Sequence, residues 1–294
     1  MEGFEMGKVK VLTARQAADL IKDGDTVTLS GFVANGIAEA LNAAAEERFL
    51  ETGHPKDLTL FWVAGTGNKD GSHADHYAHE GMVKKVIGGH FNFVPKICEM
   101  LSENKIEGYN VPQGAIAQML RDNAARKVGT ISHVGIGTFA DPRNGGGRLS
   151  EKTKEDIVKI IELEGQEQLF YPRIPLDVAF IRGTYADELG NITLEKEMAP
   201  LDATSQAMAV HNNGGLVVVQ VERVVKAGHL DPKLVKIPGI YVDAVVECPA
   251  DDPKQSQSIN CTYDPAYAGN TQVPVSSLEP KKLDAKKIIG RRAA

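Results

Sequence analysis

The chain has 294 residues, 42% hydrophobic and 24% charged, a globular composition with enough apolar material for one large α/β domain or two smaller ones. Its formal net charge of −6 leaves no domain-wide basic surface for nucleic-acid phosphates, although a local basic pocket for one nucleotide-like ligand stays open. Cys98, Cys248 and Cys261 have neither disulfide nor metal-site spacing and read as indifferent thiols of a reducing compartment. Met1 to Met6 lacks a basic region followed by an apolar run, and no stretch reaches membrane-spanning length. The expectation is a cytoplasmic protein with no signal peptide and no membrane or nucleic-acid partner.

In chain order, Thr13 is placed to cap a helix over 14–22, which Gly24 closes. Residues 26–29 are β-branched and apolar, as a covered strand requires. Gly31 and Gly36 bracket a loop, and Leu41, Ala45 and Phe49 give the following segment helical spacing. A strand that enters a helix through such a loop aims backbone N–H groups outward, toward a carboxylate, a phosphate or a developing oxyanion. A second strand is expected over 58–63, running into the glycine loop Gly65, Thr66, Gly67, Asn68. In open α/β sheets ligands bind beyond that strand edge.

A helix over 72–82, a short strand over 85–87 ending at Gly88, Gly89 and His90, and a helix over 94–102 follow. Residues 106–111 read as extended, Pro112-Gln113-Gly114 opens a helix reaching 125, and 131–136 reads as a strand. From 137 to 170 the pattern is irregular, and 144–148 reads as a lid or an oligomer contact. A strand over 176–182, a tight turn over 187–191, a helix over 205–211, a long apolar strand over 216–225 and a last strand over 240–246 complete the periodic part. Residues 249–283 have the composition of a linker or surface strap, and Asp284 caps the start of a further helix over 284–294.

The run Asp23-Gly24, Val27-Thr28-Leu29-Ser30-Gly31-Phe32, Gly36 and Ala38 resembles the N-terminal signature of the family I coenzyme A transferases. Ser30 stands where that signature has a glycine, and Ala38 where it has a proline. Pro112-Gln113-Gly114, the segment from Ala186 to Asn191, Glu222-Arg223-Val224-Val225 and Ile237-Pro238-Gly239-Ile240 match the same family in the same order. The segments 136–147 and 183–191 are similar to those of the propionate and acetate CoA-transferases.

The resemblance implies an open, mainly parallel α/β sheet with helices on both faces, formed by a domain over 1–248. It also implies ping-pong transfer of CoA between carboxylic acids such as propionate, acetate, lactate or butyrate, through a glutamyl-CoA thioester. Coenzyme A and acyl-CoA are then substrates, no bound cofactor or metal is required, and the partners are small carboxylic acids and further copies in a homo-oligomer. The family's nucleophilic glutamate belongs to a second half, so this sequence is expected to be the first half, inactive alone. Ser102-Glu103-Asn104 imitates part of the nucleophile segment, but Lys105 replaces its glycine and Glu103 sits at a solvated helix end without N–H donors.

Gln113 is the candidate catalytic residue, an amide donor at a helix start for an oxyanion or substrate. Gly31, Phe32, Asn35 and Gly36 are candidates for the wall of a carboxylate pocket. Gly65, Thr66, Gly67 and Asn68, with Gly89 and His90, are candidates to line its rim. Each has a plain alternative: a capping glutamine, tight turns and a structural histidine. His73, His76 and His79 beside Asp75 invite a metal reading, which the expected chemistry does not need. Two rivals remain. A sugar-phosphate isomerase-like enzyme would need a Lys/Arg cluster and a carboxylate base; a stand-alone binding or assembly module would need no chemistry.

Overall fold

The computed structural model describes residues 7–294, so the expectation drawn from Met1 to Met6 lies outside the described residues. The chain runs β1 (Lys10–Leu12), α1 (Ala14–Ala18), β2 (Thr26–Leu29), α2 (Glu39–Thr52), β3 (Leu58–Trp62), β4 (Val83–Gly88), α3 (Pro95–Ser102), β5 (Glu107–Asn110) and α4 (Gln113–Ala124). It continues through β6 (Gly129–Ser132), β7 (Lys159–Leu163), β8 (Gln166–Pro172), β9 (Val178–Arg182), β10 (Tyr185–Asp187), β11 (Ile192–Thr193) and α5 (Ala203–Asn212). Then come β12 (Leu216–Val221), β13 (Arg223–Val225), β14 (Val235–Ile237), β15 (Ala244–Glu247) and α6 (Ala285–Ala293).

Eight strands form one sheet in the order β1-β15-β12-β9-β2-β3-β4-β5, with every neighbouring pair parallel. Such a sheet must be covered on both faces, and the strands show how. Val178, Phe180 and Val218 pack in one apolar cluster with Leu41 of α2 and Ile97 of α3. Ala179, Ile181, Val217 and Val219 pack in the other, with Ile116 of α4 and Val210 of α5. Chain order runs outward from the centre in two directions, β2-β3-β4-β5 one way and β9-β12-β15 the other. The order therefore reverses between β2 and β9.

Thr13 caps α1 in a reciprocal box with Gln16, as its position predicts. Several elements differ from the sequence reading. The helix expected over 72–82 is a single 3₁₀ turn, His73–Tyr77. His73 enters it at φ +62, and the buried Asp75 carboxylate accepts the Lys96 and Ile97 N–H groups at the start of α3. The strand expected over 131–136 stops at Ser132, because Gly135 and Gly137 take positive φ and a Cβ on Gly135 would lie 2.5 Å from the Tyr171 hydroxyl. The stretch read as irregular contains the hairpin β7-β8, which joins β6 in a separate antiparallel sheet.

The long apolar run over 216–225 is two strands. β12 ends at Val221, and β13 leaves to pair with β10 in a four-stranded sheet. Residues 239–241 form a 3₁₀ turn, so the last strand starts at Ala244. Beyond Glu247 the chain lies over the carboxyl edge of the main sheet. Gln255 is buried there and accepts a hydrogen bond from the Gln220 amide. Asp284 caps α6, whose residues are mostly exposed.

Leu60 is fully buried at the middle of β3. Leu60→Ala is expected to lower unfolding free energy by about 2–5 kcal/mol, measured by denaturant titration, because the rigid parallel sheet cannot close the cavity.

Candidate functional site

The loops leaving the carboxyl ends of β2, β3, β4 and β5 meet at one edge of the sheet. The first two are stitched together by backbone. Val33 N–H donates to the Gly65 carbonyl at 2.5 Å, and Gly67 N–H donates to the Val33 carbonyl at 3.0 Å. Val33 holds φ +54, a left-handed conformation that a β-branched residue adopts at a cost of about 1–3 kcal/mol. Phe32 and Asn35 exchange two backbone hydrogen bonds of 2.9 Å, and Phe32 is 45% exposed. Gly31 is obligatory: its φ is +117, and a Cβ there would lie 2.0 Å from Ile37 Cδ1.

The remaining loops join by close packing. A Cβ on Gly65 would lie 2.7 Å from His90 Cδ2, and one on Gly89 would lie 2.3 Å from the Val63 carbonyl oxygen and 3.2 Å from Gln113 Cβ. Gln113 is the first residue of α4 and is exposed. Pro112 occupies the cap position, and no side chain caps the helix. Trp62 Nε1–H donates to the His90 carbonyl at 3.1 Å from below. The structure thus brings Gly31 to Gly36, Gly65 to Asn68, Gly89, His90 and Gln113 into one continuous rim. Two buried oxygens of this rim, Asn35 Oδ1 and Thr66 Oγ1, have no hydrogen-bond partner among the described residues. Asn68 also lines a cavity of about 400 Å³ bounded by Ala34, Glu39, His73 and residues 253–260.

Glu103 lies apart from this rim. It is exposed at the end of α3, 2.8 Å from Lys105 Nζ. Residues 144–148 are held to the edge strand, where Asn110 N–H donates to the Gly147 carbonyl at 2.7 Å and Arg148 pairs with Asp156. Glu222 forms an ion pair with Lys196 at 2.6 Å, and Arg223 lies over the Tyr185 ring.

The histidines over 73–79 face α2. Glu39 Oε1 is 2.8 Å from His76 Nε2, while Glu46 binds His76 Nδ1 at 2.5 Å and His79 Nε2 at 2.6 Å. Burial works against the His76 charge, but the two carboxylates outweigh it and raise its pKa above the ordinary 6.5. Burial likewise opposes ionisation of Glu46, yet bonds from His76 and His79 hold its pKa below 4.5. His73 goes the other way, depressed by burial. Among the described residues no group of three or more His, Cys, Asp or Glu could hold a metal ion.

Arg182 and Glu197 form a buried ion pair at 3.0 Å behind the first loop. Burial pushes the Glu197 carboxyl upward against the pull of Arg182. Arg182 Nη1 also donates to the Ser256 carbonyl. Neither member of the pair stands out in the sequence, because their pairing joins a strand end to a loop with no periodic signal.

A family model described as "Coenzyme A transferase" matches residues 11–248. The chain belongs to the coenzyme A transferase family. It is 41% identical to "Acetate CoA-transferase YdiF" of Escherichia coli (strain K12) over 290 residues, 98% of this chain and 54% of that protein. It is 40% identical to "Caffeate CoA-transferase" of Acetobacterium woodii, covering 97% of this chain and 54% of that one. The crystal structure of the acyl-CoA transferase YdiF apoenzyme from Escherichia coli O157:H7 superposes with a TM-score of 0.90 at 39% identity, over 98% of this chain and 54% of that chain. The chain therefore spans about half the length of these relatives. No helix among the described residues is long and apolar enough to cross a membrane.

The histidine ladder predicts a pH signature. The raised His76 pKa contributes stability that is full below pH 6.5 and lost as pH rises through the folded value. The depressed Glu46 pKa contributes stability present above 4.5 and lost on acidification. Thermal scans across pH 5–9 are expected to show His76→Asn destabilising most at the acid end of that range, with the gap to the parent closing at high pH. Because His73 has the opposite sign, the difference between the two curves is the informative quantity.

Proposed function

We propose that this chain supplies the acyl-binding half of a short-chain acyl CoA-transferase, which moves CoA between carboxylic acids by a ping-pong glutamyl-CoA mechanism. The observation that carries the reading is the single rim built from the loops after β2, β3, β4 and β5, with Gln113 packed against Gly89. Residues 30–36, 64–68, 88–93 and 111–114 contain no Lys or Arg. A phosphate site of the isomerase kind has nothing to build on there. A rim without cationic side chains, into which the α4 N-terminus opens with no side-chain cap, suits a small carboxylate and the oxyanion formed when its thioester is attacked.

In this reading a glutamate from residues outside this sequence attacks the acyl-CoA carbonyl. The acyl-glutamyl anhydride forms and CoA thiolate leaves. The thiolate attacks the glutamyl carbonyl, releasing the carboxylate product and leaving the enzyme as its CoA thioester, and a second carboxylate reverses the sequence. The Gln113 amide donates to the substrate oxygen that gains charge. Gly31, Phe32, Asn35 and Gly36 form the acyl wall, Phe32 supplying its apolar surface, and Gly65 to Asn68 with Gly89 and His90 close its rim. Glu103 is unsuited as the nucleophile, being solvated and paired with Lys105. The relatives' greater length is consistent with a second half, covalently joined or contributed by a partner chain. The complete enzyme acts in the cytoplasm as a homo-oligomer. Acetate, propionate, lactate and butyrate are the acids proposed, with an aryl acid as a further test because of the caffeate-named relative.

CoA exchange between acetyl-CoA and propionate tests this directly. The chain alone is expected to be inactive, and the chain with the complementary half active. Turnover by the chain alone would overturn the half-site reading; none from the two halves together would overturn the transferase. Gln113→Ala in the active assembly is expected to lower kcat about 100-fold or more, as loss of an oxyanion donor does.

A further inference from the structure

Ser30 occupies the signature position where the family resemblance has glycine, and its side chain has a definite task. Ser30 Oγ donates to the Gly36 carbonyl at 2.6 Å, closing the loop from one end to the other. The same oxygen accepts the Arg182 N–H at 3.2 Å. Ser30 N–H in turn donates to the Phe180 carbonyl at 3.1 Å. These bonds cross from the end of β2 to the end of β9, the place where strand order reverses and where ligands enter open α/β sheets. Ser30 is only 5% exposed, so the bonds form away from competing water.

We infer that Ser30 is a specificity-determining positioning residue: its hydroxyl clasps the loop that carries Phe32 and Asn35 onto the Arg182 strand end, and so narrows the acids the pocket accepts. The inference rests on the transferase reading above. Behind the clasp the chain is firmly anchored. Arg182 is held by Glu197 and by the Ser256 carbonyl, so its backbone N–H is a fixed point. In front, the loop has one further tether, the pairing of Val33 with Gly65 and Gly67. Removing the hydroxyl frees the Gly36 end while leaving the Val33 end in place. Asn35 lies between them, and because its backbone exchanges two hydrogen bonds with that of Phe32, the exposed Phe32 gains room to move with it. A wall that yields discriminates less between acids differing by methylenes, a difference typically worth 10–200-fold.

Two variants separate the clasp from backbone flexibility. Ser30→Gly reproduces the family residue, and Ser30→Ala removes the hydroxyl without loosening the backbone. In the complete transferase, kcat/KM is measured for acetate and butyrate with one acyl-CoA donor. Amide exchange is followed on this chain at Arg182 and across 31–37. Both variants are expected to lower the ratio of kcat/KM for acetate to that for butyrate by about tenfold. They are also expected to speed exchange at Arg182 and in the loop, while the β12 amides stay as in the parent. Unchanged exchange would overturn the clasp. Faster exchange with both acids slowed by one common factor would overturn the specificity role. A parent that transfers CoA to none of the acids would overturn the transferase reading and the specificity role together, while exchange still decides the clasp.

Discussion

The candidate site depends on a strand pairing that does not stop where the strands stop. β2 and β3 end at Leu29 and Trp62, yet Val33 still pairs in parallel with Thr66 in the loops beyond. The two bonds that make this pairing hold Val33 in a conformation its branched side chain disfavours. Strain of this kind survives only where the surroundings over-determine the backbone. The surroundings here are the close-packed glycines. Gly65 and Gly67 lie against His90 and the Phe93 carbonyl with no space for a Cβ, so the second loop cannot retreat, and the first follows it.

Beneath this rim lies a polar layer that is unusual for the centre of a parallel sheet. Gln206 donates to the Thr28 hydroxyl and the Leu29 carbonyl, and Gln220 accepts the Ala40 N–H while donating to Gln255. With Arg182 and Glu197, these groups replace apolar packing at the carboxyl ends of the three central strands. Buried charges and amides of this sort add little net stability over hydrophobic substitutes, but they tolerate only one arrangement of partners. The sheet interior is built from valine, leucine and isoleucine for stability. Its carboxyl edge is built from amides and one ion pair for position. The strap that follows β15 is wired into that same layer through Gln255 and Ser256.

Much of this was legible in the sequence, for definite reasons. The covered strands over 26–29, 58–62 and 178–182 announce themselves because burial on both faces favours short runs of apolar and β-branched residues in place of polar alternation. Three of the four rim loops are legible because Gly31, Gly65, Gly67 and Gly89 stand where a Cβ would collide with neighbouring atoms; Gly114 in the fourth has open space around it, and that loop is marked instead by Pro112 before the helix. The 3₁₀ turn at His73–Tyr77 was not legible, since Asp75 abandons its own helix to cap α3, a contact set by tertiary structure. The β7-β8 hairpin was missed because an exposed hairpin such as Lys159–Leu163 buries too little to show alternation. The division of the run over 216–225 was hidden for the opposite reason: both strands are valine-rich, and only the departure of Glu222 toward Lys196 separates them. Among the rim residues, Gln113 was singled out by its match to the family motif and the glycines by their place at strand ends. Arg182 and Glu197 were not, because an ion pair formed across a sheet edge leaves no local pattern.

Trp62 is the sole tryptophan of the chain. It is fully buried, its ring stacks close beneath Gly88, and its indole N–H is bonded to the His90 carbonyl. The molecule therefore carries its one indole, among seven tyrosines, directly under one lip of the rim. Excited selectively, it senses its immediate surroundings, among them the His90 carbonyl and the Phe91 ring, whose centroid is 5.0 Å away. Whether a ligand enters at this edge thus becomes a question that one defined indole can answer, with no label to attach.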